Sequence, residues 1–275
     1  MLDGVSDDRA WEIRRFGTGA STLVHVPHAA SVVPAGVRGR ILLDDGRLAA
    51  ELAAMTDWHT DTLALRAAES AACPSVVFRN RLSRLVVDPE RFPDEREVMA
   101  KVGMGAVYQA TSTLEPLRHA DPGDDARLLE CYFYPYAEAC ADLVDELLAD
   151  AGRCVIVDVH SYPTHPLPYE LDQRAARPAV CIGTDPEHTP RRLHDLADDV
   201  FVGVAGGVGE NTPFAGAYVP LRHYGRDKRV SSIMIELRRD SYLDGPSELA
   251  PSRAEGMIRR LARLLDGISG ASRKA

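Results

Sequence analysis

Runs of apolar, often β-branched residues recur along the chain and alternate with segments of helical periodicity. Six runs have the character of strands, at 21–26, 75–79, 84–88, 154–159, 179–183 and 231–237. Because they are apolar at nearly every position, they predict strands buried on both faces. Apolar residues at helical spacing predict helices at 47–55, 58–72, 125–150, 188–201 and 250–267. The alternation predicts an α/β fold, with a mixed, mostly parallel central sheet flanked by helices on both faces.

Three predicted strands run directly into side chains that can bind a metal or carry a proton. Strand 21–26 leads into His28, strand 154–159 into His160, and strand 231–235 into Glu236. If the three strands are parallel neighbours, these side chains meet at one edge of the sheet. A carboxylate buried among Ile and Leu, as Glu236 is, is costly unless it is paired or functional. Taken singly, each residue has a structural alternative, and His28 could simply end a strand.

Two histidines and one carboxylate form a common catalytic zinc set, which leaves a position open for a water with a pKa of about 7. The segment 56–61 contains two candidates for the third ligand, Asp57 and His59. We favour Asp57 because it completes that set, although it could instead cap the helix that follows. His59 stays open as the alternative, or as a residue that faces the substrate. Glu236, held off the metal, is the expected proton acceptor.

Charge and composition restrict the class of partner. The chain has 275 residues, 32 Lys and Arg against 41 Asp and Glu, and a formal net charge of −9. With 45% hydrophobic and 27% charged residues it is expected to fold around a full core. The negative charge argues against nucleic acid or an anionic membrane as the partner. No linker divides the chain, so we expect a single domain over 1–275 with short frayed termini.

The cysteines and the apolar segments bear on location. The five cysteines are scattered without a C-x-x-C pair, which predicts buried free thiols in a reducing compartment. No segment approaches the ~20 apolar residues of a membrane-spanning helix, and the first residues carry no signal-like apolar stretch. We therefore expect a cytoplasmic protein.

Eight collinear segments resemble the N-formylglutamate amidohydrolase family, a branch of the zinc carboxypeptidase-like hydrolases. They are VPHAASVVP (26–34), TDWHTDTLA (56–64), SRLVVDPERFPD (83–94), DVHSYP (158–163), CIGTD (181–185), NTPFAGAYV (211–219), RHYGR (222–226) and IELRRDSYLD (235–244). The resemblance implies a zinc carboxypeptidase/phosphorylase-hydrolase-like fold. It also implies hydrolysis of N-formylglutamate to formate and glutamate, a step of histidine degradation, with one Zn²⁺ per chain.

The resemblance implies a role for each site residue. His28, Asp57 and His160 hold the zinc, and Glu236 takes the proton of the attacking water. Planar guanidinium groups bind carboxylates through two parallel hydrogen bonds, so Arg84 and Arg91 of the SRLVVD-x-x-R pattern are expected to bind the substrate's carboxylates. Further substrate contacts are expected from the loop before RHYGR and from that segment itself, namely from Asn211, Arg222 and His223. Asn211 could alternatively form only a turn.

The sequence departs from the family pattern in two segments. Ala215 and Ala217 stand where family members often carry Lys and Gly, and a second departure lies nearer the predicted metal ligands. Glu90 stands where family members usually carry Asn, and its carboxylate is expected to repel an anionic group of the substrate. The expected partner is a small anionic N-acyl amino acid. A peptidase or another acyl-amino-acid deacylase of the carboxypeptidase-like superfamily, and a catalytically silent metal-free binding protein, stay open as alternatives.

Overall fold

A seven-stranded sheet organises the computed structural model, which describes residues 10–173 and 177–270. Its strands are β1 (Trp11–Phe16), β2 (Thr22–Val26), β3 (Ser75–Asn80), β4 (Cys154–Tyr162), β5 (Val180–Gly183), β6 (Val208–Glu210) and β7 (Val230–Arg238). They lie in the order β1-β3-β2-β4-β7-β5-β6. Strands β3, β2, β4 and β7 are mutually parallel, whereas β1 and β5 pair antiparallel to their neighbours. A short separate hairpin joins β8 (Leu243–Asp244) and β9 (Glu248–Leu249).

Helices cover both faces of this sheet, as the apolar runs predict. They are α1 (Ala35–Arg38), α2 (Asp45–Met55), α3 (Thr60–Ser70), α4 (Pro122–Leu128), α5 (Tyr134–Ala151), α6 (Arg191–Phe201) and α7 (Pro251–Gly270). On one face, alternate strand residues such as Val24 and Val157 pack with apolar residues of α3, α6 and α7. On the other face, the intervening residues such as Leu23 and Ile156 pack against α5. This division follows from the strand period of two. The predicted fold class is confirmed.

The central order β2-β4-β7 positions the site. Residues 22–25 of β2 pair with 155–158 of β4, and residues 154–162 of β4 pair with 230–238 of β7. Because all three strands run in the same direction, their carboxyl ends lie at one edge of the sheet. The three strands are therefore parallel neighbours, as the convergence of His28, His160 and Glu236 requires. His160 and Glu236 do not follow their strands as expected but lie inside them, because β4 continues to Tyr162 and β7 to Arg238.

Several local predictions were wrong. The apolar run 84–88 is not a strand, but a buried turn in which Leu85 and Val86 fill a satellite core beside the sheet. Strands β1 and β6 were not predicted, because their residues are only partly buried and give a weak apolar signal. The predicted helix 125–150 is instead α4 and α5, joined by a π-helical turn at Leu129–Phe133.

The cysteines and termini also differ in part from expectation. All five cysteines are free, yet Cys131 is exposed, and three of the others are buried. The expected frayed termini fall mainly on residues 1–9 and 271–275, which lie outside the described residues, while α7 continues to Gly270. None of the helices formed by residues 10–173 and 177–270 combines the length and apolar character needed to cross a bilayer.

Candidate metal centre and active-site cavity

Three buried side chains converge at the carboxyl edge of β2 and β4. Nδ1 of His28 lies 3.3 Å from Nδ1 of His160, and Oδ2 of Asp57 lies 3.3 Å from Nδ1 of His160 and 3.8 Å from Nδ1 of His28. The three side chains are almost inaccessible to solvent. Two imidazole nitrogens and one carboxylate oxygen at such separations match the donor set of a catalytic zinc site.

Local backbone contacts bring Asp57 to this point. Asp57 lies between α2 and α3, where its backbone N–H donates to the carbonyl of His28 and its carbonyl accepts from the hydroxyl of Thr60. The side chain of Asp57 is therefore not a helix cap. His59, the alternative ligand, has a left-handed backbone with φ of 62°, and its Nε2 contacts the carbonyl of Ser247 at 2.7 Å. The structure thus brings Asp57, and not His59, to the two histidines.

The contact between Nε2 of His28 and Asp88 identifies which ring nitrogen of His28 carries the proton. Nε2 of His28 lies 2.9 Å from Oδ1 of Asp88, which is fully buried and also accepts a hydrogen bond from Arg84. Burial opposes ionisation of Asp88, but the charge of Arg84 and the hydrogen bond from His28 hold the pKa of Asp88 well below its usual range. An ionised carboxylate only accepts, so Nε2 of His28 carries the proton and Nδ1 presents a lone pair to Asp57 and His160. This lone pair and the carboxylate of Asp57 are available to a cation, and a carboxylate behind a ligating imidazole is a common support for one. The residues therefore fit a metal ion.

Burial and neighbouring charges favour the metal-binding protonation state at His28 and Asp57, but not at His160. Burial, reinforced by the charge of Arg84, lowers the pKa of His28 and favours its neutral form. Burial opposes ionisation of Asp57, yet the hydrogen bond from His160 and the charge of Arg84 hold the pKa of Asp57 below its usual value. His160 differs, because the carboxylates of Asp158 and Glu90 overcome the effect of burial and raise its pKa well above the usual value.

Glu236 lies beside His160 on the neighbouring strand. The two residues are paired in the parallel β4–β7 register, and Oε2 of Glu236 is buried without a hydrogen-bond partner among the described residues. Burial raises the pKa of Glu236 to about 8; the charges of Asp57 and Asp158 add to this effect, while those of His160 and Arg84 oppose it. A carboxyl group with a pKa near neutrality and an unoccupied oxygen can accept and return a proton.

These residues open onto a cavity of about 400 Å³. Part of its wall is apolar, formed by Phe92, Val98, Phe133, Phe214, Leu221 and Met234. Arg84 and Arg91 supply positive charge at the polar part. A concave site with apolar walls and a few directed polar groups is typical of small-molecule binding.

The two arginines differ in how their guanidinium groups are held. Arg84 donates to Asp88 at 2.6 Å and to the hydroxyl of Tyr108 at 2.9 Å. Nε of Arg91 lies 3.6 Å from Asp88 and is buried without a hydrogen-bond partner among the described residues. Arg91 is thus the less tightly paired of the two. Both stay predicted substrate ligands.

The remaining predicted substrate contacts lie outside the residues that line the cavity. The amide of Asn211 closes a loop by hydrogen bonds to the backbone and hydroxyl of Thr184. Arg222 is exposed and pairs with Asp142 and Asp145 on α5. His223 is buried 3.3 Å from Asp145. Each of the three residues is engaged elsewhere in this structure, and their substrate contacts stay predictions; the loop between them contributes lining residues, among them Ala215 and Ala217.

Sequence reasoning missed the groups that orient the ligands. Asp88 and Asp158 each contact the outer nitrogen of a histidine, and both belong to segments singled out from the sequence, SRLVVD and DVHSYP. The sequence offered one signal for these two orienting groups, namely a carboxylate at the end of an apolar run. His25 carried no signal, because its contact with Asp158 depends on strand pairing.

A mixed α/β sheet with a candidate metal centre and a buried glutamate at its edge places the protein among the hydrolytic enzymes. Sequence comparison is more specific. The sequence model of N-formylglutamate amidohydrolase matches residues 20–243, and the chain belongs to this family. The family makes the protein an amidohydrolase. Comparison with curated protein sequences gives no significant match.

Solved structures share the fold at low sequence identity. N-formylglutamate amidohydrolase from Ralstonia eutropha JMP134 superimposes with a TM-score of 0.76 at 20% identity, covering 95% of this chain and 98% of its own. A gene product of Agrobacterium tumefaciens has a TM-score of 0.71 at 18% identity, with 96% of both chains covered. At identities this low, the two superpositions show a common fold and no more.

Proposed function

We propose that the protein is a zinc-dependent amidohydrolase that cleaves the acyl amide of an anionic N-acyl amino acid, with N-formylglutamate as the leading substrate. The observation that carries the proposal is the convergence of His28, Asp57 and His160 beside the unpartnered carboxyl oxygen of Glu236. Family membership supports the reaction class. The proposed partner is the small-molecule substrate, without nucleic acid or membrane.

In this proposal His28, Asp57 and His160 would hold the zinc. Zinc bound there supplies a Lewis acid that polarises the acyl carbonyl and lowers the pKa of water. The protein supplies the remaining functions. Asp88 holds His28 in the tautomer that directs Nδ1 inward, and the low solvent exposure of all three ligands keeps competing water away.

Glu236 is the proton carrier of the proposed reaction. Its Oε2 accepts a proton from the attacking water and returns it to the nitrogen of the departing amine. A pKa of about 8, caused mainly by burial, suits a group that must take up and release one proton near neutral pH. Both transfers occur on a side chain whose position is set by the β4–β7 ladder.

The arginines bind and orient the anionic substrate. Arg91 offers a guanidinium with a buried, unpartnered Nε to a substrate carboxylate. Arg84, held by Asp88 and Tyr108, supplies a fixed positive charge beside the acyl oxygen, where negative charge develops. Fixed donors of this kind stabilise a transition state without rearrangement during the reaction.

The size of the cavity favours a second candidate. A volume of about 400 Å³ with apolar walls leaves room for a group larger than formyl or for a larger amino-acid side chain. Hydrolysis of other N-acyl amino acids or of dipeptides is therefore the alternative. The same zinc centre and the same proton carrier would serve these substrates.

A substrate panel tests the proposal and separates the two candidates. Purified protein is stripped of metal with a chelator, reloaded with Zn²⁺ and incubated with N-formylglutamate, N-acetylglutamate, N-formylphenylalanine and a dipeptide. Release of the free amine is measured with an amine-reactive reagent. We expect cleavage of N-formylglutamate by the zinc-loaded protein only. Cleavage confined to the larger substrates would support the second candidate, and a metal-loaded protein that cleaves none of them would refute the proposal.

A further inference from the structure

Two histidines and two carboxylates form a closed ring behind the candidate metal centre. Nδ1 of His25 lies 2.9 Å from Oδ1 of Asp158 and 3.3 Å from Oε1 of Glu90. Nε2 of His160 lies 3.1 Å from Oδ2 of Asp158 and 3.1 Å from Oε2 of Glu90. Each carboxylate therefore spans both imidazoles, and the two oxygens of Glu90 face different histidines.

We propose that Glu90 is a positioning residue, which fixes the ligand His160 from behind and does not contact the substrate. The inference rests on the proposed function, because it takes His160 as a metal ligand. It also replaces the sequence-based expectation for Glu90. Although Glu90 borders the cavity, its side chain is only 15% exposed and both oxygens are directed to imidazole nitrogens.

The geometry at His160 shows why a second carboxylate matters. Nε2 of His160 is buried and lies 3.1 Å from an oxygen of Asp158 and 3.1 Å from an oxygen of Glu90, without a well-aligned hydrogen bond to either one. A single N–H directed between two acceptors is held by both, so removal of either one frees the ring to turn. Rotation of the imidazole would move Nδ1, which faces His28 and Asp57 on the opposite side. Carboxylates in this position also make the imidazole a stronger ligand.

The other members of the ring are fixed by the sheet. His25 on β2 and Asp158 on β4 are paired in register. His25 is fully buried, its Nε2 lies 2.7 Å from the hydroxyl of Tyr136, and its ring stacks on Tyr218. Glu90 is the only member that comes from a loop. It therefore connects the segment that carries Arg91 to the metal ligand on β4.

A comparison of two charge-removing variants tests this role. Glu90→Gln replaces one oxygen by an NH₂ group that cannot accept from a histidine. Glu97→Gln is the matched control, because Glu97 borders the same cavity but accepts only backbone N–H groups, from Phe92 and Met99. Zinc affinity is measured by competition with a chromophoric chelator, and the visible absorption spectrum is recorded after substitution with Co²⁺.

We expect Glu90→Gln to weaken zinc binding by about tenfold, at the lower end of the range for outer partners of metal ligands, because Asp158 remains. Its Co²⁺ spectrum should differ from that of the unaltered protein, while KM for a carboxylate substrate changes little. Glu97→Gln should match the unaltered protein in both metal readouts. Unchanged metal readouts together with a tenfold lower KM in Glu90→Gln would overturn the inference and make Glu90 a substrate-facing acid.

A measurement on the unaltered protein keeps the inference testable if Glu90→Gln does not fold. In zinc-loaded protein with ¹⁵N-labelled histidine, NMR should show a proton on Nε2 of His160 that exchanges slowly with water. An Nε2 without a proton, or two zinc ions per chain, would overturn the inference, because the ring would then hold a second cation. A protein that binds no zinc overturns the proposed function as well, whereas equal zinc affinity in both variants overturns only the role of Glu90.

Discussion

His160 and Glu236 occupy paired positions in the parallel ladder between β4 and β7. Paired residues of adjacent strands project from the same face of a sheet, and the strands lie about 4.8 Å apart. The backbone therefore sets the distance between a candidate metal ligand and the candidate proton carrier. A site built on strands is held more precisely than one built on loops.

Replacement of Glu236 by Gln should abolish turnover and leave metal binding intact. Because Oε2 of Glu236 has no partner among the described residues, the amide breaks no hydrogen bond there. Loss of a general base lowers kcat by about 10²–10⁴-fold. The check is kcat at matched zinc content, with Glu210→Gln at the exposed end of β6 as the control. A kcat within tenfold of the unaltered enzyme would contradict the role assigned to Glu236.

Asp88→Asn should affect stability and metal binding together. Asp88 is fully buried and accepts from Arg84 and His28, so the variant leaves a buried guanidinium without its counter-charge. Breaking one side of a buried ion pair costs about 3–5 kcal/mol, and loss of the partner behind His28 should weaken zinc binding about 10–100-fold. Urea unfolding and metal competition measure the two effects.

The matched control is Asp94→Asn, which removes an exposed ion pair with Arg96. Exposed pairs contribute little, so the free energy of unfolding should change by less than about 1 kcal/mol. If Asp88→Asn were no more destabilising than Asp94→Asn, the buried network around Asp88 would not have the importance given to it here.

Arg91→Lys should raise KM for carboxylate substrates. A lysine keeps the charge but cannot form two parallel hydrogen bonds to a carboxylate, and a hydrogen bond to a charged group contributes about 1.5–3 kcal/mol. KM should therefore rise about 10–100-fold, while kcat changes less. Arg222→Lys provides the comparison, because Arg222 pairs with Asp142 and Asp145 outside the cavity. An equal effect of the two substitutions on KM would contradict this placement.

Removal of the metal should destabilise the fold. Nδ1 of His28, Nδ1 of His160 and Oδ2 of Asp57 lie within 3.3–3.8 Å of one another, and a bound cation would link all three side chains. A ligand at 100 times its dissociation constant stabilises the folded state by about 2.7 kcal/mol. Thermal unfolding with and without a chelator should thus show a lower midpoint for the stripped protein, and added Zn²⁺ should restore it. An unchanged midpoint would argue against a metal at this site.

The alternation of apolar runs and helical segments was enough to predict the sheet, its covering helices and the three strands that bring His28, His160 and Glu236 together. Continuous apolar strands have one stable environment, a sheet covered on both faces, and their polar ends must then lie at its edge. The run 84–88 shows the limit of this reasoning. A short apolar segment is compatible with a strand and with a buried turn. Here the segment forms a turn, because its apolar side chains pack in the satellite core beside the sheet.

The sequence by itself determined which chemical groups this protein can bring to one edge of its sheet, because strand period and hydrophobic burial are local properties of the chain. Only the tertiary structure decided how side chains on loops are directed. Asp57 is directed to the metal-site histidines, whereas His59 is directed away from them to the carbonyl of Ser247. Glu90 is directed to His25 and His160. Arg222 is directed to α5. Each of these directions depends on a partner that is distant along the chain, and such partners are known only when the strands are paired and the helices are packed.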